Sequence, residues 1–368
     1  MSSESEKKAL SEIRDQIDAI DQEIQNLINR RAACAQKVAE IKTRSLADAS
    51  QAVFYRPERE ARVLRKVKER NQGPLDSEEM ARLFREIMSA CLAHEKPMHI
   101  AFLGPEGTFT QAAVLKHFGH SVVSVPLEAI DDVFREVESG GAHYGVVPVE
   151  NSTEGMINRT LDMFISSPVK ICGEVKLRIH HHLLASGNTK ADNITRIYSH
   201  QQSFAQCRRW LDANWRSVER VTVSSNAEAA RKARSESGAA AIAGAMSAEI
   251  YGLQVVAENI EDQPDNTTRF LIIGRENVPP SGHDKSSILV SMRNRPGALY
   301  QTLEPFHRHG ISLTRIETRP SPNGTWAYVF YIDFEGHVED EKMQGVLDEI
   351  ASEAVELKIL GSYPVGVL

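Results

Sequence analysis

The distribution of glycine and proline divides the chain before any motif is considered. The first 96 residues contain one glycine, Gly73, and two prolines, Pro57 and Pro74, whereas all 368 residues contain 22 and 15. Because both residue types destabilise helix interiors, their scarcity predicts a helical region. Apolar residues recur in it at alternating steps of three and four, the spacing of a packed helical seam. This seam comprises Leu10, Ile13, Ile17, Ile20, Ile24 and Leu27.

The seam predicts a first helix that extends to about Lys42. Pro57 suits the first turn of a second helix, which residues 73–74 end, and residues 75–80 offer a capping box and a hydrophobic staple. A third helix should then extend to about His94. A long helix with one apolar stripe needs another helix to cover that stripe. We therefore expect an all-helical domain that forms an intertwined homodimer, or a higher homo-oligomer.

The pattern changes after Met98. Short apolar runs end in glycine, proline or hydroxyl residues and alternate with helical stretches, as in an α/β sheet. A polar segment rich in turn formers, residues 276–287, is typical of a linker. Beyond it the pattern is βαββαβ, the ferredoxin-like order of an α+β domain. We expect three domains, at residues 1–96, 97–275 and 285–368.

Composition narrows the class of protein. The net charge of −7 disfavours a general nucleic-acid binder, which needs a basic surface. The sequence contains no apolar run long enough to span a membrane and no targeting segment. Its four cysteines lie far apart without a CxxC pair, so neither a disulfide framework nor a zinc site is indicated. These features predict a cytoplasmic enzyme that acts on small molecules.

Basic residues in the helical region have an informative spacing. Arg31 and Lys42 are eleven residues apart, about 20° of helical rotation, and therefore project from one face. Arg14 and Arg31 are about 25 Å apart along the axis and lie on different faces. They cannot bind one small molecule from the same chain, so a partner chain would have to supply Arg14. Any one of these arginines alone would more often belong to a solvated helix face.

Three segments of this region, IRDQIDAIDQEIQNLINRRAACAQKVAEIK, FYRPEREARVL and LFREIMSACLAHE, resemble the all-helical chorismate mutases over residues 10–95. The resemblance implies that Arg14 of the other subunit, with Arg31, Lys42 and Arg59, binds the dianionic substrate chorismate. It also implies that Glu60 contacts the substrate hydroxyl. The rearrangement is pericyclic, so fixed cations can catalyse it through restraint and charge stabilisation.

Two positions depart from the pattern of those mutases. Cys91 replaces a common serine, and Glu95 stands where a glutamine commonly donates a hydrogen bond to the ether oxygen of the substrate. An ionised carboxylate only accepts hydrogen bonds, so Glu95 must be protonated to assist. Mutase activity should then fall as the pH rises through the pKa of Glu95. The alternative is that Glu95 is a surface carboxylate at the helix end.

Polar motifs follow several strands of the middle region. They are GPEGTFTQAAVLKHF, GVVPVENSTEG, YSHQQSFAQCRRWL and DNTTRFLIIG. In open α/β sheets, ligands bind beyond the carboxyl ends of strands, where such groups converge. The first motif could also bind an anion at a helix N-terminus. Each motif alone is a weak signal.

Together these motifs resemble prephenate dehydratase across residues 98–274, including the TRF signature at residues 268–270. The resemblance implies two α/β lobes around a cleft, as in type II periplasmic binding proteins, and a reaction without metal or organic cofactor. By that likeness Thr268 assists departure of the ring hydroxyl of prephenate. The other implied catalytic residues are Glu150, Asn151, Ser199 and Gln206. The implied substrate-binding residues are Cys91 in the mutase region and Ser152, Thr153, His200, Gln202, Ser203, Arg269 and Phe270 here.

Other interpretations of the middle region remain open. The run His180-His181-His182 suggests a metal, but consecutive strand residues point to opposite faces and no acidic residue is close in sequence. Cys207 near His200 suggests a nucleophilic pair, yet dehydration needs no acyl intermediate. A further interpretation is that the lobes bind a ligand without catalysis, which would leave the mutase as the sole activity. A prephenate dehydrogenase would need a dinucleotide fingerprint, which the sequence lacks.

The segment MRNRPGALYQTLEPFHRHGISLTRIETRP resembles an ACT domain of the dehydratase type. The resemblance implies feedback inhibition by phenylalanine. The implied effector-binding residues are Asn294, Gly297, Ala298, Leu299, Glu317, Arg319 and Pro320. Thr318 and Ser312 depart from the usual serine and asparagine of this pattern. The alternative is a dimerisation module without a ligand.

Overall fold

The computed structural model describes residues 3–44, 55–153, 155–293, 295–320 and 328–367. The N-terminal domain is helical, with α1 (Ser3–Arg44), α2 (Pro57–Arg70) and α3 (Ser77–Glu95). Proline occupies the first turn of α2, and the Asp76 side chain caps α3 by accepting a hydrogen bond from the Glu79 amide at 2.8 Å. The helices and their start signals are therefore as the sequence predicts.

The middle domain alternates strands and helices along the chain. In order, its elements are β1 (His99–Leu103), α4 (Phe109–Phe118), β2 (Val123–Leu127), α5 (Ile130–Ser139), β3 (Tyr144–Asn151), β4 (Gly155–Met156), α6 (Asn158–Ser166), β5 (Lys170–Arg178), β6 (His182–Ala185), β7 (Arg196–His200), α7 (Gln201–Gln206), α8 (Arg208–Asn214), β8 (Glu219–Val223), α9 (Asn226–Ser235), β9 (Ala239–Ala243), α10 (Ala245–Tyr251), β10 (Gln254–Ala257) and β11 (Thr267–Gly274).

These strands form two mixed sheets, one in each of two lobes. The sheet of lobe A has the order β2-β1-β3-β11-β5, with β4 paired to β3, and the sheet of lobe B has the order β10-β6-β9-β7-β8. The chain crosses between the lobes twice, from β5 to β6 and from β10 to β11. Two crossings between two sheets produce the two-lobed architecture that the sequence predicts.

The C-terminal domain contains β12 (Asp284–Met292), α11 (Ala298–Arg308), β13 (Leu313–Pro320), β14 (Tyr328–Glu335), α12 (Glu341–Glu353) and β15 (Glu356–Pro364). Its antiparallel sheet has the order β13-β14-β12-β15, which confirms the ferredoxin-like prediction. One face of the sheet packs under α11 and α12. The opposite face contributes Leu289, Val329, Tyr331, Leu360 and Tyr363 to the hydrophobic core of lobe A.

The helical domain also packs on lobe A. Tyr55 is buried in the core that contains β1, α4 and β11 residues, and its hydroxyl lies 3.1 Å from Nε2 of His117. Gly119, with φ of 77°, ends α4, and a Cβ atom there would lie 2.5 Å from Cβ of Ser89 on α3. Only glycine permits this approach of α3 to lobe A.

None of the helices in the described ranges is long and apolar enough to cross a membrane. The four cysteines are unpaired: Cys34 is exposed, and Cys91, Cys172 and Cys207 are buried.

Candidate active sites

A cavity of about 640 Å³ lies among the three helices of the N-terminal domain. The structure brings five of the sequence-predicted residues to its wall: Arg31, Lys42, Arg59, Glu60 and Cys91. Arg31 and Lys42 come from α1, Arg59 and Glu60 from the first turn of α2, and Cys91 from α3. These three cations, with Arg56 on the same wall, attract a ligand with more than one negative charge.

Glu60 is the acidic member of this set. Its side chain is largely buried, and Oε1 lies 3.3 Å from Nε of Arg85. Burial raises the pKa of Glu60 because it disfavours the charged form, and the neighbouring Arg85 partly opposes this effect. Sequence reasoning did not single out Arg85, although it lies in the segment LFREIMSACLAHE, because its contact with Glu60 has no local signal.

Arg14 is not part of this cavity. It lies exposed on α1, 17 residues before Arg31, which corresponds to about 25 Å along the helix. The apolar seam on the same helix is exposed too, with 49–57% of each residue accessible from Leu10 to Leu27. Glu95 ends α3, but its side chain lies outside the described part of the structure, so its predicted role stays a prediction.

A second set of predicted residues meets in the cleft of the two-lobed domain. Thr268 at the start of β11 pairs with Asn151 at the end of β3, and Nδ2 of Asn151 donates hydrogen bonds to Oγ1 of Thr268 at 2.9 Å and to Oδ1 of Asn266 at 3.0 Å. Oδ1 of Asn151 accepts from the Thr153 hydroxyl and amide. Ser152 donates to Asn266 at 3.4 Å. Thr268 therefore belongs to a buried network of neutral donors and acceptors.

Gln206 connects this network to lobe B. Its Nε2 donates to Oγ1 of Thr153 at 3.4 Å, and its Oε1 accepts from Nδ2 of Asn266 at 3.2 Å. Nε2 of His181 lies 2.8 Å from the same oxygen, which assigns the proton to that ring nitrogen. Sequence reasoning missed Asn266 and His181. Asn266 immediately precedes the Thr-Thr-Arg-Phe run, which was the one signal that could have found it.

The predicted residues of lobe B gather around Asn226 at the start of α9. Oδ1 of Asn226 accepts from Ser199 at 3.3 Å, from Ser203 at 3.1 Å and from the backbone amide of His200 at 3.1 Å. The His200 side chain caps α7 by accepting from the Gln202 amide. Asn226 was a further residue that the sequence analysis missed.

Three predicted residues of lobe A lie away from this cleft network. Arg269 is buried, and its guanidinium donates to Glu174 at 2.8 Å, Asp333 at 2.7 Å and Tyr363 at 3.1 Å. Phe270 is buried in the core of lobe A. The prediction that both bind substrate is corrected, because the sheet directs Arg269 towards the C-terminal domain and carries Phe270 into the core. Glu150, opposite Arg269 in the sheet, is paired with Arg315 of β13.

The histidine run lies at the crossing between the lobes. Only His182 belongs to a strand, and His180 pairs with Glu261 at 2.8 Å, an acidic partner distant in sequence. Within the described ranges, no group of three or more His, Cys, Asp or Glu side chains is arranged to hold a metal. Burial raises the pKa of the Cys207 thiol, which opposes formation of a nucleophilic thiolate.

The predicted effector residues of the C-terminal domain lie towards one end of its sheet. Gly297, with φ of 83°, precedes α11, and Ala298 and Leu299 form the first turn. Met292 and Pro320 both pair with Tyr328, so the turn after β12 and the end of β13 meet at that end. Glu317 lies further along β13, and Arg319 pairs with Asp162 of α6. Asn294 falls outside the described residues.

Comparison with protein families assigns all three regions. The model of chorismate mutase type II matches residues 13–96, that of prephenate dehydratase matches residues 100–278, and that of the ACT domain matches residues 286–352.

Individual relatives cover the whole chain or about three quarters of it. The bifunctional chorismate mutase/prephenate dehydratase of Stutzerimonas stutzeri is 63% identical over 364 residues, covering 99% of this chain and 100% of that relative. The crystal structure of prephenate dehydratase from Arthrobacter aurescens in complex with L-Phe is 34% identical, with a TM-score of 0.67, and covers 72% of this chain and 89% of that one. The structure of GqqA, described as a quorum quenching acylase, is 28% identical with a TM-score of 0.68, covering 73% and 98%.

The alternative of a mutase fused to a non-catalytic binding module is therefore disfavoured. The chain belongs to the family of bifunctional chorismate mutases/prephenate dehydratases with a C-terminal ACT domain.

Proposed function

We propose that the cationic cavity of the helical domain is the chorismate mutase site and that the cleft around Thr268 is the prephenate dehydratase site. The observation that carries the first assignment is the convergence of Arg31, Lys42 and Arg59 with Glu60 on one cavity. The second rests on the hydrogen bond between Asn151 and Thr268. We place the domain boundaries at residues 96/97 and 275/285.

In the mutase site the cations hold the two carboxylates of chorismate and stabilise negative charge on the ether oxygen as the C–O bond breaks. A C–C bond forms in the same step, so no proton or covalent intermediate is required. Preorganised charges are effective here, because they need no reorganisation during the reaction. Glu60, as a carboxylate, accepts a hydrogen bond from the substrate hydroxyl and orients the ring.

In the dehydratase site Thr268 donates a hydrogen bond to the departing ring hydroxyl. Its Oγ1 accepts from Asn151, so its own proton is available to the substrate. As the ring carboxylate leaves as carbon dioxide, the electrons of the broken C–C bond make the ring aromatic and expel hydroxide. The hydroxide takes the proton of the Thr268 hydroxyl to become water, and Thr268 regains a proton from solvent. The Asn151 amide stabilises the threonine oxygen as that proton moves. The products are phenylpyruvate, carbon dioxide and water.

An acylase activity like that ascribed to GqqA finds no support in this cleft. Acyl transfer needs a nucleophile activated by a base. Ser199 and Ser203 donate to an amide oxygen of Asn226, and the buried Cys207 has a raised pKa. No pairing of a serine or cysteine nucleophile with a histidine base occurs among the hydrogen bonds of the described cleft residues. We therefore retain dehydration as the single activity of the cleft.

The ACT domain is the proposed phenylalanine sensor. The relative from Arthrobacter aurescens was solved in complex with L-Phe and covers 72% of this chain, and the ACT domain model matches residues 286–352. Phenylalanine acts as an inhibitor if it binds one arrangement of the domains better than another. The ion pairs that join β13 and β14 to lobe A provide physical contact between the sensor and the dehydratase.

The proposed assembly is a homodimer in which Arg14 of each chain completes the mutase site of its partner. The exposed seam of α1 supports this arrangement, because an apolar stripe of this length is stabilised by burial against another helix. Mixing Arg14→Ala and Arg31→Ala proteins under subunit exchange should restore part of the mutase activity. Proven exchange without restoration would exclude a shared site. We also propose a cytoplasmic location, which suits four unpaired cysteines.

One coupled assay tests the whole assignment. Purified protein given chorismate should form phenylpyruvate, and phenylalanine should reduce the rate. With prephenate as the starting compound, the dehydratase step is isolated. Formation of prephenate from chorismate without phenylpyruvate would reduce the middle domain to a binding module.

A further inference from the structure

The wall between the mutase cavity and lobe A contains a charged contact that the reaction scheme does not use. Glu60 and Tyr55 line the mutase cavity on one side, and on the other they line a small cavity of about 30 Å³ where all three domains meet. Arg85, His117 of α4 and residues 364–367 line the second cavity as well. Glu60 therefore also borders groups that lie on the side away from the mutase cavity.

Arg85 is the cation in this position. It is 7% exposed, its Nε lies 3.3 Å from Oε1 of Glu60, and its Nη1 donates to the backbone carbonyl of Lys116 at 2.8 Å. Lys116 lies in the last turn of α4, so the acceptor belongs to the dehydratase domain. Nε makes no hydrogen bond of good geometry among the described residues. A buried guanidinium in this state is stabilised chiefly by the negative charge of Glu60.

We propose that Arg85 is a positioning residue of the mutase site, which keeps Glu60 ionised and oriented towards the substrate while the dehydratase domain anchors Arg85 through the Lys116 carbonyl. The proposal rests on the assignment of Glu60 to the mutase site. Glu60 can accept a hydrogen bond from a substrate hydroxyl only through a carboxylate oxygen that is free of protons. The dehydratase domain thereby contributes to a reaction that occurs in a different domain.

Other charged or titratable groups also face Glu60 or line the two cavities that it borders. They are Arg31, Cys34 and Lys42 of α1, Tyr55, Arg56 and Arg59 at α2, Cys91 of α3, His117 of α4, and Cys172 and Glu174 of β5. All of them remain in a variant that changes Arg85 alone. Burial and the nearby Arg85 hold the pKa of His117 well below its usual range, so it adds no charge near neutral pH.

The sign of the expected pH effect follows from the pKa of Glu60. Burial raises this pKa and Arg85 lowers it, so removal of the Arg85 charge raises it further. Mutase activity that depends on ionised Glu60 is lost as the pH falls. The fall of mutase activity at low pH, which is the acid limb of the pH profile, should therefore occur at higher pH in Arg85→Gln than in wild type. The change predicted for Glu95 has the opposite direction: mutase activity falls as the pH rises, on the alkaline side of the profile.

The experiment measures mutase kcat/KM against pH in the full-length protein and its variants. On the acid limb, Arg85→Gln should be slower than wild type by about tenfold, and the two should converge at higher pH. Arg85→Lys retains the charge and should keep the limb near its original position, with a raised KM from lost geometry. Dehydratase activity of the same samples reports folding, and Arg85→Lys keeps the test valid if Arg85→Gln does not fold.

Two further variants separate the possible failures. Arg65 is another arginine that links the helical domain to the remainder of the chain, since its Nη2 donates to the Ser281 carbonyl at 2.9 Å. Arg65→Gln should leave the acid limb of the mutase profile where it is. Glu60→Gln should abolish the limb. If Glu60→Gln abolishes it but Arg85→Gln only lowers the rate equally at all pH values, the positioning role is wrong and the mutase assignment stands. If the limb survives in Glu60→Gln, the assignment of Glu60 and the inference are both wrong.

Discussion

The two proposed active sites of this chain use opposite electrostatic designs. The mutase cavity collects fixed positive charges from helices, with Arg31, Lys42 and Arg59 facing one space. The dehydratase cleft collects neutral amides and hydroxyls around Thr268, from the ends of strands and from the last turn of α7. The difference matches the chemistry proposed for each: one reaction redistributes charge without proton transfer, and the other needs a proton at a departing oxygen.

Removing the Thr268 hydroxyl should give the largest separation of the two activities. Thr268→Val keeps the shape of the side chain and deletes the donor, so dehydratase kcat should fall by about 10²–10⁴-fold while mutase activity is retained. Thr267→Val is the matched control, because that hydroxyl donates to the Asp265 carbonyl at 3.2 Å instead. Steady-state rates with prephenate measure both. Equal losses in the two variants would remove Thr268 from the chemistry.

Removing a cation from the helical cavity should produce the converse pattern. Arg31→Ala should lower mutase kcat/KM by about 10²–10³-fold, because it removes a preorganised charge, and should leave the dehydratase rate unchanged. Arg30→Ala is the matched control, since Arg30 is exposed at the preceding position of α1, about 100° around the helix. The comparison between the sites breaks down if Arg30→Ala is as damaging as Arg31→Ala.

The contacts between the C-terminal sheet and Arg269 should stabilise the dehydratase domain. Although burial opposes the charge of Arg269, the contacts of Arg269 with Tyr363, Asp333 and Glu174 raise its pKa, so it stays charged within lobe A. Asp333→Asn should reduce the free energy of unfolding by about 1.5–3 kcal/mol, because it weakens hydrogen bonds to a buried cation. Urea unfolding followed by dehydratase activity measures this loss.

Asp348→Asn controls for the change of charge alone, because Asp348 is exposed on α12. Equal stability of the two variants would show that the buried ion pair adds nothing beyond that change.

The smallest effect is expected at His181. His181→Ala removes the donor to Oε1 of Gln206 and should lower dehydratase kcat/KM by up to about tenfold, as expected for one neutral hydrogen bond. Burial lowers the pKa of His181, so the ring is neutral and no pH dependence should arise from it above neutral pH. His182→Ala is the control, because His182 accepts from the Asn259 amide and does not contact Gln206.

The sequence predicts the elements of this fold well, because their signals are local. The seam of α1, Pro57 at the start of α2 and the Asp76 cap of α3 each depend on residues within a few turns of one another. Thr268 lies beside Asn151 because both are at strand ends of one sheet, and that position can be read from local patterns, whereas their catalytic roles stay predictions.

The errors arise where contacts are distant in sequence. Consecutive strand residues point to opposite faces of a sheet, so Thr268 and Arg269 face different sides. The C-terminal sheet packs on the side of Arg269 and contacts it through Asp333, and no local sequence signal predicts that contact. Phe270 is two residues further along β11 than Thr268, a distance of roughly 7 Å. Its side chain therefore lies in the hydrophobic core and not in the cleft. Asn226, Asn266 and Arg85 act through partners that only the folded chain brings near.

The hydrophobic core shared by lobe A and the C-terminal sheet limits how this enzyme can be recombined with its relatives. Tyr331 and Tyr363 of the C-terminal domain occupy the same core as Val147 and Ile273 of the dehydratase. A chimera joined in the linker would therefore place a foreign sheet face against the native lobe and produce cavities or clashes in one continuous core. A transplant of the sensor has to carry the facing residues of β3, β5 and β11 with it, so the unit of exchange is larger than the domain that the sequence delimits.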